Sequence, residues 1–97
     1  MIVKEQKESH SIEELLGSKA RVKILKILAS EIELNISAII TRTHLNHSNV
    51  IKHLSFLVAQ NLIQEKRFGR IRIYRYKDEN IKARSLKKFI EIWDGDY

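Results

Sequence analysis

Apolar residues recur every three or four positions from Ile12 to Leu57, alternate with charged residues from Leu62 to Lys77, and return to helical spacing from Leu86 to Trp93. A period near 3.6, then a period of 2, then 3.6 again predicts helices, a hairpin and a last helix. In "SIEELLGS" Ser11 caps a short helix, Glu14 completes a capping box and Gly17 closes it. Ser18 starts "KARVKILKILAS", where Val22, Ile24, Leu25, Ile27 and Leu28 make a wide apolar face with Lys19, Lys23 and Lys26 opposite. Ile32 and Leu34 predict one short strand. Asn35 caps a helix over Ile36–Thr43, and a turn at His44 and Leu45 follows. Asn46 caps the next helix, which runs over 46–60, and Asn61 ends it in the left-handed conformation.

The alternating stretch "LIQEKRFGRIRIYRYK" reads as a β-hairpin turning at Gly69. After it, Asp78 or Asn80 caps a helix over 78–94, with Leu86, Phe89, Ile90 and Trp93 at i, i+3, i+4 and i+7. Residues 1–10 lack periodicity and predict a flexible arm; "DGDY" is a tail. The chain is 97 residues, a single domain with no repeat or linker. The fold class is mainly α with a small β-hairpin, in the order α-α-(β)-α-α-β-β-α. Two helices joined by a tight turn and followed by a hairpin define a winged helix-turn-helix.

Composition narrows the function. There is no cysteine, which excludes disulfides, thiolate zinc sites and a cysteine nucleophile together. No apolar run approaches the roughly 18 residues of a membrane span, and "MIVKEQKESHS" is too polar for a signal peptide, so the expectation is a cytoplasmic protein with no membrane partner. The formal charge is +6, and it is unevenly placed. Residues 66–88 hold ten basic residues against Asp78 and Glu79, a local +8, so the rest of the chain is about −2. Such concentration suits a polyanion; the bland alternative is a solvated face of a lysine-rich protein.

The stretch "HLNHSNVIKHLSFL" collects three of the four histidines with two asparagines, two serines and a lysine, while Val50, Leu54 and Leu57 keep the spacing of a buried face. His47, Ser48, Asn49, Ile51, Lys52 and Ser55 fall on the other sides, mostly in the N-terminal half that reaches base edges in a helix-turn-helix. Asparagine pairs bidentately with adenine, serine donates or accepts, an apolar side chain meets a thymine methyl, and the helix N-terminus favours phosphate. The plain alternative is an amphipathic helix with a solvated face. No helical face gathers His44, His47 and His53, so no metal is expected. No triad or glycine-rich phosphate loop occurs, so neither a cofactor nor an enzyme is expected.

"LLGSKARVKILKIL", "NISAIITRTHLNHSNVIKHLSFLVAQNLI" and "RFGRIRIYRY" resemble the winged-helix repressors of the ArsR-like type, above all the small forms found in archaea and archaeal viruses. The likeness covers roughly residues 12–77, and its most characteristic piece is "NVIKHLSFLVAQNLI". It implies a sequence-specific double-stranded DNA-binding transcriptional regulator, a repressor, commonly a symmetric homodimer through its terminal helices. It also implies that His53 packs at a helix–helix contact and that Tyr74 and Tyr76 face inward. Asn61 and His44 stand where glycine and a small residue are usual, and the cysteine ligands of metal-sensing members are missing. That removes any basis for metal regulation.

In the hairpin, Lys66, Arg67, Arg70 and Arg72 are the candidate wing contacts to backbone or minor groove, within a run from 66 to 77 that contains no acid. Alternation alone leaves the register open: isoleucines inward would turn Arg70 and Arg72 outward, and tyrosines inward would reverse this. Leu86, Phe89, Ile90 and Trp93 are the candidate dimer interface, unless the last helix only covers its own domain. Two other functions stay open, a winged-helix protein-interaction module in a larger assembly and a single-stranded nucleic-acid binder.

Overall fold

The computed structural model describes residues 11–95, so the arm predicted over residues 1–10 lies outside the described residues. Eight elements follow in order: α1 (Ile12–Leu16), α2 (Lys19–Glu31), β1 (Glu33–Asn35), α3 (Ile36–Thr43), α4 (His47–Ala59), β2 (Ile63–Phe68), β3 (Ile71–Tyr76) and α5 (Ile81–Asp94). Each helix begins on a side chain that accepts from a backbone N–H one turn ahead. Ser11 and Glu14 form a reciprocal capping box on α1, and Ser18 accepts from the N–H of Arg21 at 3.1 Å on α2. Asn35 and Asn46 accept at 2.8 Å from Ala38 and Asn49 on α3 and α4. On α5 the cap is Asn80, not Asp78, accepting from Lys82 and Ala83. Losing such a cap costs about 1 kcal/mol.

The helix ends are built differently. Gly17 closes α1 with an ordinary negative φ; what it supplies is space, because a Cβ there would sit 2.5 Å from the Glu13 carbonyl oxygen. His44 and Asn61 take left-handed conformations, φ 59° and 64°. Ile32, which the pattern assigns to the strand, lies before it as the C-cap of α2, at φ 73° and ψ −46°. A β-branched residue there is strained by about 1–3 kcal/mol. Its backbone shows why the strain is tolerated. The Ile32 N–H donates to Leu28 at 2.8 Å, and its carbonyl accepts from Tyr76 at 2.7 Å. One residue therefore turns the chain out of α2 and ties it to the base of β3.

The sheet is antiparallel in the order β1-β3-β2, with Leu34 opposite Tyr74, Ile63 opposite Tyr76 and Phe68 opposite Ile71. Gly69 (φ 62°) and Arg70 make a two-residue turn, where the twist of the strands demands a positive φ. This register resolves the alternation: Tyr74 and Tyr76 are buried, and Ile71 is exposed. The Tyr76 hydroxyl donates to the Ala83 carbonyl at 2.5 Å inside the protein, fixing the wing base to α5. Burial pushes the Tyr76 phenol well above its ordinary range, so it stays a donor.

The core gathers Ile24, Leu25 and Leu28 of α2, Ile39 of α3, Val50, Leu54 and Leu57 of α4, and Ile63, Tyr74 and Tyr76 of the sheet. Helix α2 is the central support, since both helices of the α3–α4 unit rest on it. The result is a winged helix-turn-helix.

Candidate nucleic-acid interface

Burial of Val50, His53, Leu54 and Leu57 fixes which side of α4 faces out. His47, Ser48, Asn49, Lys52 and Ser55 are exposed on that side, and Ile51 is half-buried at its edge. The helix N-terminus is capped by Asn46, two residues after the left-handed His44, so the first-turn N–H groups lie at the same end of α4 as Ser48 and Asn49.

His53 packs where α4 meets α2, and its Nδ1 has no hydrogen-bond partner among the described residues. Arg21 of α2 lies close by, its guanidinium 3.7 Å from the Phe56 ring centre while its Nη1 donates to the Glu14 carbonyl at 2.5 Å. Burial, then the charges of Arg21 and Lys52, pull the His53 imidazole below its ordinary 6.5. The folded protein therefore binds this proton less readily than the unfolded chain does. The contribution is complete above pH 6.5 and is lost as pH falls from there through the depressed folded value. Thermal melting should show a midpoint that drops on acidification across that window, with a smaller drop in His53→Gln. Equal drops in both proteins would assign the effect elsewhere.

The wing carries fewer free cations than the run from 66 to 77 implies, because Glu65 stands just before it. Cross-strand pairing puts Glu65, Arg67, Arg72 and Tyr74 on one pleat face. The Glu65 carboxylate accepts from Arg67 Nε at 3.1 Å and from the Tyr74 hydroxyl at 3.4 Å, and Arg72 Nε lies 3.6 Å away. Burial and that carboxylate push the Tyr74 phenol above its ordinary 10. Lys66 faces Glu33 at 3.5 Å. Arg75 forks onto Glu79 at 3.1 and 2.8 Å, which holds the Glu79 carboxyl at about 2. Among the described residues, Arg70 at the tip makes no ion pair. Surface pairs of this kind are weak, so Lys66, Arg67 and Arg72 can exchange a carboxylate for a phosphate at small cost.

The stripe expected on α5 divides. Leu86 and Ile90 are half-buried against the protein's own core, while Phe89 and Trp93 are 52% and 78% exposed, with ring centres 5.7 Å apart. Ile81 and Ile92 join the exposed pair, as do Ile12 and Leu16 from α1. A groove of about 570 Å³ runs between α1 and α5, lined by Ile12, Leu16, Leu62, Ile81, Leu86 and Phe89. The share of α1 is legible after the fact: a helix of five residues that buries only Leu15 must leave its other apolar side chains outward. Among the described residues no three histidine, aspartate or glutamate side chains cluster in a way that could hold a metal ion. No helix among them is long and apolar enough to cross a membrane.

This arrangement is the fold of the ArsR-family helix-turn-helix transcriptional regulators: residues 18–65 match the family model described as bacterial regulatory protein, arsR family. Among solved structures, HlyU from Vibrio cholerae superposes with a TM-score of 0.73 at 17% identity, covering 84% of this chain and 86% of its own. The transcriptional repressor PagR of Bacillus anthracis gives 0.66 at 27% identity, over 81% of this chain and 91% of its own. NolR from Sinorhizobium fredii gives 0.68 at 22% identity, over 99% and 100%. No curated protein matches the chain by sequence.

Proposed function

We propose that the protein is a sequence-specific regulator of transcription that binds double-stranded DNA as a homodimer. It acts as a repressor of the compact kind found in archaea and their viruses. Helix α4 enters the major groove with His47, Ser48, Asn49, Ile51, Lys52 and Ser55, and the wing follows the backbone into the adjacent minor groove with Lys66, Arg67, Arg70 and Arg72. Phe89 and Trp93 form the centre of the dimer contact, with Leu86 and Ile90 beneath them. The observation that carries this reading is the exposure of Ser48, Asn49 and Lys52 at a capped helix start, beside a wing whose tip bears an unpaired arginine.

Base reading and backbone contact predict different mutant behaviour. Ser48→Ala and Asn49→Ala each remove a base-edge group, so each should cost roughly 1–3 kcal/mol on the preferred duplex and little on base-substituted ones. Arg70→Ala should weaken all duplexes alike. Competition binding against single-base variants of the preferred site separates the two. If both classes of variant weaken every duplex by one factor, base reading by α4 is wrong.

A further inference from the structure

The wing tip combines two features that phosphate binding alone does not need. Phe68 and Ile71 lie directly opposite each other across the turn, 60% and 55% exposed. Their pleat face is opposite the one that carries Tyr74 and Tyr76 into the interior, and neither joins the core cluster. Between them stand Gly69, where an added Cβ would touch nothing within 4 Å, and the unpaired Arg70. The tip is therefore a narrow cationic point with an apolar shoulder on each strand.

A neutral or cationic partner gains little from Arg70 and the nearby Arg67, whereas a polyanion gains from both. The minor groove exposes no thymine methyl, so an apolar side chain is buried there against the stacked faces of the bases, reached when a wedge opens a step. Resting on the DNA-binding reading above, we infer that Phe68 and Ile71 form such a wedge. Arg70 enters the narrow groove first, drawn by its negative potential. The two apolar side chains then press against one base step, partly unstack it and kink the duplex toward the major groove. Pyrimidine–purine steps unstack most easily, so the wing selects TA or CA/TG at that point without a hydrogen bond to any base. Phe68 and Ile71 are specificity-determining residues on this account.

The test uses the full chain and the duplex that wild-type protein selects from random DNA, with 2-aminopurine replacing an adenine at the step under the wing. Wild type should raise the 2-aminopurine fluorescence on binding and bend the duplex by about 20–90°. Phe68→Ser combined with Ile71→Ser should leave the melting temperature unchanged, abolish the fluorescence rise and most of the bend, and lose the preference for a pyrimidine–purine step. Phe68→Leu with Ile71 intact should restore all three. Bending and fluorescence equal to wild type in the double serine variant would overturn the wedge while leaving DNA binding intact. A change of oligomeric state in that variant would overturn it in favour of a contact between copies of the chain. A wild type that selects no duplex would remove the DNA-binding reading and the wedge with it.

Discussion

Replacing Phe89 and Trp93 with serine should yield a monomer that keeps its fold and loses roughly 10²–10⁴-fold in affinity for a two-fold symmetric DNA site. Both side chains stand in solvent, so the substitutions remove almost nothing from the core around Ile24, Leu28 and Tyr76. In a dimer the same two side chains would be buried, each contributing up to about 1.5–3 kcal/mol, with Ile12, Leu16, Ile81 and Ile92 extending the contact. Left open, these positions would form a contiguous apolar patch across α1 and α5, an aggregation hazard on so small a protein. The affinity loss follows from linkage of two sites: once one α4 is bound, the partner's α4 binds at a high effective concentration, which a monomer lacks. Sedimentation at micromolar concentration, with binding measured in parallel, checks both halves. A wild type that sediments as a clean monomer and still binds a palindrome tightly would refute this prediction.

Salt should weaken DNA binding by roughly two to five orders of magnitude between about 50 and 200 mM. Arg70 is unpaired among the described residues and Lys52 is exposed on α4. Lys66, Arg67 and Arg72 reach phosphate only by leaving Glu33 and Glu65. That gives about two to five phosphates per protomer and about four to ten per dimer, hence a slope of log affinity on log salt near −4 to −9. Arg75 adds nothing, since its fork on Glu79 keeps it at the wing base. Glu65→Gln frees Arg67 and Arg72 and should steepen the slope. A flat response over that range would count heavily against DNA as the partner.

What the sequence disclosed and what it hid follow one physical division. The caps at Ser11, Ser18, Asn35 and Asn46 are contacts between residues three apart, so the chain displays them directly, whereas Asp78 and Asn80 are equally good candidates in sequence and only the structure selects Asn80. The inner face of α4 is equally local, because Val50, Leu54 and Leu57 repeat at the helical period. The wing register was not local. Isoleucine and tyrosine alternate, either set could face inward, and the choice falls to the tyrosines through the Tyr76 hydroxyl reaching Ala83 on another element. Nor does anything at Ile32 announce a positive φ; the junction of α2 with the sheet imposes it. Counting charge along the run from 66 to 77 overstates the wing, since Glu65 just before it pairs with Arg67 on its own strand and Arg72 on the next, and Glu33 reaches Lys66 from β1. On α5 a spacing of three and four describes two adjacent faces at once, and only packing divides Leu86 and Ile90 from Phe89 and Trp93.

Selection of bound duplexes from a random library decides whether two copies of this chain read duplex DNA with α4. The expected result is an enriched, two-fold symmetric motif whose half-sites lie one helical turn apart, about 34–36 Å centre to centre. Recovery of duplexes with no shared motif, or of a single unrepeated half-site, would contradict it.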